Sequence, residues 1–92
     1  MQDKKREQLQ KAFARVIKRH RKYSISKICN EIELSKSVWS MVEQEEKDVQ
    51  LSTMWRMAEG LGIKASLFIR LVERELGKDF FFSFNPNKRT KE

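Results

Sequence analysis

The chain predicts an all-α fold of five short helices, and three observations carry that expectation. Glycine and proline are scarce, with three and one among 92 residues, so few positions break a helix. Apolar side chains recur at three- and four-residue steps, the spacing of one helix face. Serines 24 and 35 stand immediately ahead of two such runs, where a hydroxyl caps a helix N-terminus.

The first helix covers about residues 3–21, with Leu9, Phe13, Val16 and Ile17 turned inward and His20 at its end. Its polar face is crowded by Lys11, Arg15, Lys18, Arg19, Arg21 and Lys22. Ser24 caps a second helix over about 24–32, with Tyr23 and Ile28 spaced as a hydrophobic staple. That helix turns Ile28, Cys29 and Ile32 inward. Ser35 repeats the device, with Leu34 and Trp39 as the staple. It opens a third helix over about 35–44 that buries Val38 or Trp39 together with Val42. Two or three residues between these helices force a steep crossing, which is helix-turn-helix geometry.

Residues 45–50 are polar and loop-like. A fourth helix at about 51–60 presents Leu51, Met54, Met57, Ala58 and Leu61, and Gly62 supplies its C-cap. A fifth at about 65–76 carries Leu67, Phe68, Leu71, Val72 and Leu76 and ends at Gly77. Residues 80–84, FFFSF, change the period and read as a short C-terminal β-strand, stopped by Asn85-Pro86-Asn87. The closing KRTKE reads as a disordered basic tail. The chain thus divides into a helical domain at 1–78 and a C-terminal strand and tail at 79–92.

Composition narrows the functional classes. One domain of this length leaves little room for a second catalytic lobe. No nucleophile–base pair, carboxylate constellation or phosphate-cradling glycine loop is present, which argues against an enzyme. A single cysteine, Cys29, excludes an internal disulfide. With one histidine beside it, no zinc site or other metal centre is expected. Cys29 reads as a small buried hydrophobe, with a redox role as the alternative. No apolar run approaches the ~18 to 20 residues of a membrane span, and the charged N-terminus is no secretory signal. A cytoplasmic protein is expected, with no cofactor and no evident small-molecule ligand.

The net charge of +7 is uneven: residues 1–22 carry +7, residues 23–50 carry −3, residues 51–77 carry +1 and residues 78–92 carry +2. A strongly basic helix favours a polyanion, because neutralised phosphates release condensed counterions. The competing reading is that basic residues only keep a small protein soluble.

The segment SISKICNEIELSKSVWSMVEQ, followed by LSTMWRMAEGLGIKASLF, resembles the lambda-repressor-like helix-turn-helix family of phage Cro and repressor proteins. The resemblance runs without a gap over about residues 13–69. It rests on Ser24, Ile28, Cys29, Leu34, Ser35, Trp39, Ser40, Val42 and Glu43, and then on Met57, Ala58, Leu61, Gly62 and Ile63. AEGLGI is its most specific part. Glu33 and Glu45 stand where the family has glycine, Ile25 where it has a phosphate-contacting glutamine, and Glu45-Glu46-Lys47-Asp48 is acidic. A left-handed backbone at Glu33 would cost ~1 kcal/mol.

The resemblance implies a sequence-specific transcriptional regulator, a repressor that binds a palindromic operator in double-stranded DNA as a homodimer. The third helix would be the recognition helix, with Lys36, Ser37 and Met41 toward bases and Ser40 and Gln44 toward phosphates. Lysine donates to guanine O6/N7, and a methionine methyl suits a thymine methyl. The helix N-termini at Ser24 and Ser35 would receive phosphate oxygens. The alternative readings are a solvated Lys36 and a core-filling Met41. Trp39 and Trp55 read as core, and Glu43 as the partner of a first-helix base such as Lys18, in the manner of the family's Arg–Glu bridge.

Phe80, Phe81, Phe82 and Phe84 form the second informative feature. Alternation hides about two of the four on one face of a strand, and pairing across a two-fold axis would cover the rest. That arrangement matches half-sites one DNA turn (~34 Å) apart. The competing reading packs this segment back on its own domain. A second function also remains open: a protein-binding module, antitoxin-like or an antirepressor partner, that keeps the fold without specific DNA binding.

Overall fold

The computed structural model describes residues 2–88 and is all-helical, with five α-helices. They are α1 (Gln2–His20), α2 (Ile25–Ile32), α3 (Lys36–Glu43), α4 (Leu51–Gly60) and α5 (Ala65–Leu76). A short 3-10 turn, η1 (Pro86–Lys88), follows. The first three boundaries fall within one residue of the sequence reading, and the last two coincide with it. The expected basic tail lies outside the described residues beyond Lys88.

Each helix contributes one stripe to a single core. Phe13, Val16 and Ile17 of α1 are buried, as are Ile28 and Cys29 of α2, Trp39 and Val42 of α3, Met54, Met57 and Ala58 of α4, and Phe68 and Val72 of α5. Phe13 and Phe68 meet edge to face with centroids 4.7 Å apart. That geometry suits the ring quadrupoles and ties α1 to α5. Helix α1 packs on α3 and α5, α2 on α3 and α4, and α4 on α5. The α2–α4 approach is set by Gly60: a β-carbon there would stand 2.6 Å from Ile28 Cγ2.

Three helices end in the same way. The N–H of Leu34 reaches back to the Cys29 carbonyl, that of Glu46 to Met41, and that of Ile63 to Ala58, at 3.1, 2.8 and 3.1 Å. This is the Schellman pattern, which needs a left-handed residue just past the helix. The residues in that place are Glu33 (φ 56°), Glu45 (φ 64°) and Gly62 (φ 78°). Two of the three ends therefore use glutamate where glycine is unstrained.

Four expectations are corrected. Residues 80–84 form no strand. A lone extended segment would leave its amides and carbonyls unpaired, because a β-ladder needs a second strand and none exists among the described residues. The chain turns instead, with the Phe80 N–H donating to the Gly77 carbonyl at 3.4 Å. Phe80 lies 5.1 Å beneath the Lys5 ammonium and edge-on to Phe82. Trp39 is fully buried, whereas Trp55 is 54 % exposed. Met54, Met57, Ala58 and Leu61 fill the inner stripe of α4, and Trp55 falls off that stripe.

Tyr23 makes no staple with Ile28. Its ring is exposed and carries the Lys27 ammonium at 4.5 Å. Finally, Glu43 does pair with a base of the expected first helix, but that base is Arg21, while Lys18 points to solvent.

Candidate nucleic-acid interface

The α2–turn–α3 unit is built from two capped helices joined by Glu33, Leu34 and Ser35. Ser24 Oγ accepts from the Lys27 amide at 3.2 Å and Ser35 Oγ from the Val38 amide at 3.3 Å. Both serines have extended backbone, as an N-cap requires. Each leaves other first-turn amides at an exposed helix end, where the macrodipole is positive. The left-handed Glu33 reverses the chain, and Leu34 tucks against the core. The Arg56 guanidinium of α4 donates to the Glu33 carbonyl at 3.4 Å and holds the turn from the other side.

Helix α3 is divided lengthwise. Trp39, Val42 and Glu43 face inward and are buried. Lys36, Ser37, Met41 and Gln44 are exposed, and Ser40 and Val38 are half-buried. Met41 is 38 % exposed and stands outside the core cluster. Lys36 is the one cation on this helix, and its neighbours Ser35 and Ser37 are exposed.

The buried side of α3 is fastened by charge. Glu43 Oε2 accepts from the Trp39 indole N–H at 2.7 Å and from Arg21 Nε at 2.8 Å. Arg21 also donates to the Tyr23 carbonyl at 2.9 Å. One guanidinium thus joins the end of α1, the entry to α2 and the last turn of α3. The i, i+4 spacing of Trp39 and Glu43 was readable in the chain, since such pairs share a helix face. Arg21 and Arg56 carried no comparable signal.

Cationic side chains of α1 and of the residues just after it continue past this unit. Lys11, Lys18 and Lys22 are exposed. Arg15 and Arg19 reach across to Glu75 of α5 at 3.4 and 3.1 Å, which partly neutralises them. Glu31, Glu33, Glu45, Glu46 and Asp48 are exposed around the ends of α2 and α3, so the face is mixed in sign.

Cys29 is buried behind the turn, and its Sγ donates weakly to the Ser35 carbonyl at 3.8 Å. Burial pushes its thiol above the ordinary range, opposed in smaller part by the nearby Lys36 charge. A thiol held neutral is a poor nucleophile, which favours the structural reading.

Among the described residues no group of histidine, cysteine, aspartate or glutamate side chains is placed to hold a metal ion. No described helix is long and apolar enough to cross a membrane. The chain matches no family model, no curated protein and no solved structure.

Proposed function

We propose that the chain is a cytoplasmic, sequence-specific DNA-binding regulator of the lambda-repressor-like kind, a repressor that reads double-stranded DNA with α3. The observation that carries this reading is the division of α3. One edge is locked into the core through Trp39, Val42 and Glu43, while Lys36, Ser37 and Met41 are presented to solvent. A helix held on one side and carrying a donor, a short hydroxyl and a soft apolar group on the other suits a major groove.

The capped N-termini at Ser24 and Ser35 supply amides for phosphate oxygens, with Ser40 and Gln44 beside them. Lys11, Lys18 and Lys22 add affinity that does not depend on sequence. A homodimer on a palindromic operator completes the proposal. The C-terminal segment at 79–92 is its dimerisation element, because Phe82 and Phe84 remain 40 % and 54 % exposed while Phe80 and Phe81 are half-buried.

The acidic residues flanking α3 favour a second reading, in which the same face binds a basic protein partner and not DNA. Selection of bound sequences from a random duplex library, at two salt concentrations, separates the two. An enriched palindrome is the expected result, and Lys36→Ala should relax one position of it at a loss of ~1 to 3 kcal/mol. Binding that disappears with salt and enriches nothing would overturn the regulatory reading.

A further inference from the structure

A half-open cleft of about 260 Å³ enters the core between α1, the α3–α4 loop, α4 and α5. Its walls are Leu9 and Phe13 of α1, Val42 of α3, Met54 of α4, and Ile69 and Val72 of α5. All six are apolar, and Gln10 is the one lining residue outside the Lys47–Asp48 pair with a side-chain hydrogen-bonding group. The mouth differs. Asp48 there is engaged by Arg6 at 4.0 Å, whereas Lys47 makes no ion pair among the described residues. Arg6 and Lys47 against Asp48 leave the entrance with a net positive charge.

We propose that this cleft binds a small apolar monocarboxylate, with its hydrocarbon part between α1 and α5 and its carboxylate at Lys47. Size and chemistry agree on the occupant. A dry apolar cavity of ~150 Å³ accepts a benzene molecule, and drug-sized sites begin near ~300 Å³. The cleft falls between these, which suits one ring with a short side chain or a straight chain of about six to ten carbons. A polar body would lose most of its water for at most the Gln10 amide in return, and a cationic head would meet Lys47. An anionic head keeps its hydration at the open mouth and gains the ammonium.

None of Ser24, Ser35, Lys36, Ser37 or Met41 lines the cleft. The site stands whether or not the exposed face of α3 binds DNA.

The test is a titration of the full chain with hexanoate, octanoate and decanoate below their micellar concentrations, with the matching alcohols alongside. Binding is followed by amide and methyl chemical shifts. Affinity should rise roughly three- to fourfold per methylene, as burial of each CH₂ requires. Shifts should concentrate at Leu9, Met54 and Val72. Octanoate should bind several-fold tighter than octanol, and Lys47→Gln should erase that difference without changing the fold. Ile69→Glu, at a position already 41 % exposed, should abolish carboxylate binding while leaving the spectrum dispersed.

Equal binding of octanoate and octanol would overturn the proposal, as would affinity independent of chain length or binding that survives Ile69→Glu. Sedimentation in the same samples covers the remaining occupant. If octanoate acts only by dissociating a dimer, the cleft is an interface for a second copy and the proposal fails.

Discussion

Arg21 Nε lies 2.8 Å from Glu43 Oε2, and this contact joins the end of α1 to the last turn of α3 across 22 positions of sequence. Both side chains are largely withdrawn from water, at 29 % and 10 % exposure. The same carboxylate oxygen accepts from Trp39 Nε1, so removing Arg21 leaves a buried charge with one neutral partner. Arg21→Ala should destabilise the fold by about 1 to 3 kcal/mol, discounted for the partial exposure of the arginine. A double-mutant cycle with Glu43→Ala, read by urea unfolding, should return a coupling near 1 kcal/mol. Strict additivity would mean that the pair does not hold α3 to α1.

Glu33 and Glu45 occupy left-handed backbone that their β-carbons disfavour. Glu33→Gly and Glu45→Gly should each stabilise the protein, by about 0.5 to 1 kcal/mol after the greater unfolded-state freedom of glycine is subtracted. Thermal unfolding of the two variants checks this. Loss of stability in either would indicate that the glutamate side chain contributes more than its backbone strain removes.

Gly60 acts by the opposite logic, through space and not torsion. Helix propensity favours alanine there by up to ~1 kcal/mol. The new β-carbon would nevertheless strike Ile28 Cγ2, a branched atom with little rotamer freedom and no exposed side to move into. Gly60→Ala should therefore destabilise by about 1 to 2 kcal/mol. Ile28→Ala should cost less in the Gly60→Ala background than in the wild type, because the two changes share one space. Equal costs in the two backgrounds would place the α2–α4 spacing elsewhere.

Phe82 and Phe84 should hold the dimer of the proposed function, while Phe80 stays with its own α1. Phe82→Ser together with Phe84→Ser should shift analytical ultracentrifugation from dimer to monomer and leave the helical circular dichroism intact. A dimer that persists would assign the interface to another face. A wild-type chain that is monomeric throughout would remove the dimer altogether.

Cys29 gives a pH dependence of definite sign. Its folded thiol titrates above the ordinary value near 9 because burial disfavours the thiolate. At neutral pH both folded and unfolded states are protonated, and the group adds no pH dependence. As pH rises through the ordinary thiol value the unfolded chain ionises first, so stability falls. Cys29→Ala should lower stability at pH 7 through its small cavity, yet lose less than the wild type between pH 7.5 and 9.5. Parallel losses in the two proteins would show that the thiol is not desolvated.

Much of what neighbours a few residues away govern was legible in the sequence. Apolar spacing located the five helices, and Ser24 and Ser35 marked two caps, because each depends on torsions and contacts within one or two turns. The reversals at Glu33 and Glu45 were marked only by the family resemblance, since glutamate itself gives no turn signal. The tertiary structure alone decided which long-range partners meet. Several cations line α1, and only the packing of α1 on α3 selects Arg21 for Glu43. Leu51 and Trp55 carry the same apolar label as Met54, yet the close approach at Gly60 sets the roll of α4 and turns them out to water. FFFSF has the composition of a strand but becomes one only beside another strand. In this chain Phe80 finds α1 instead, and a turn follows.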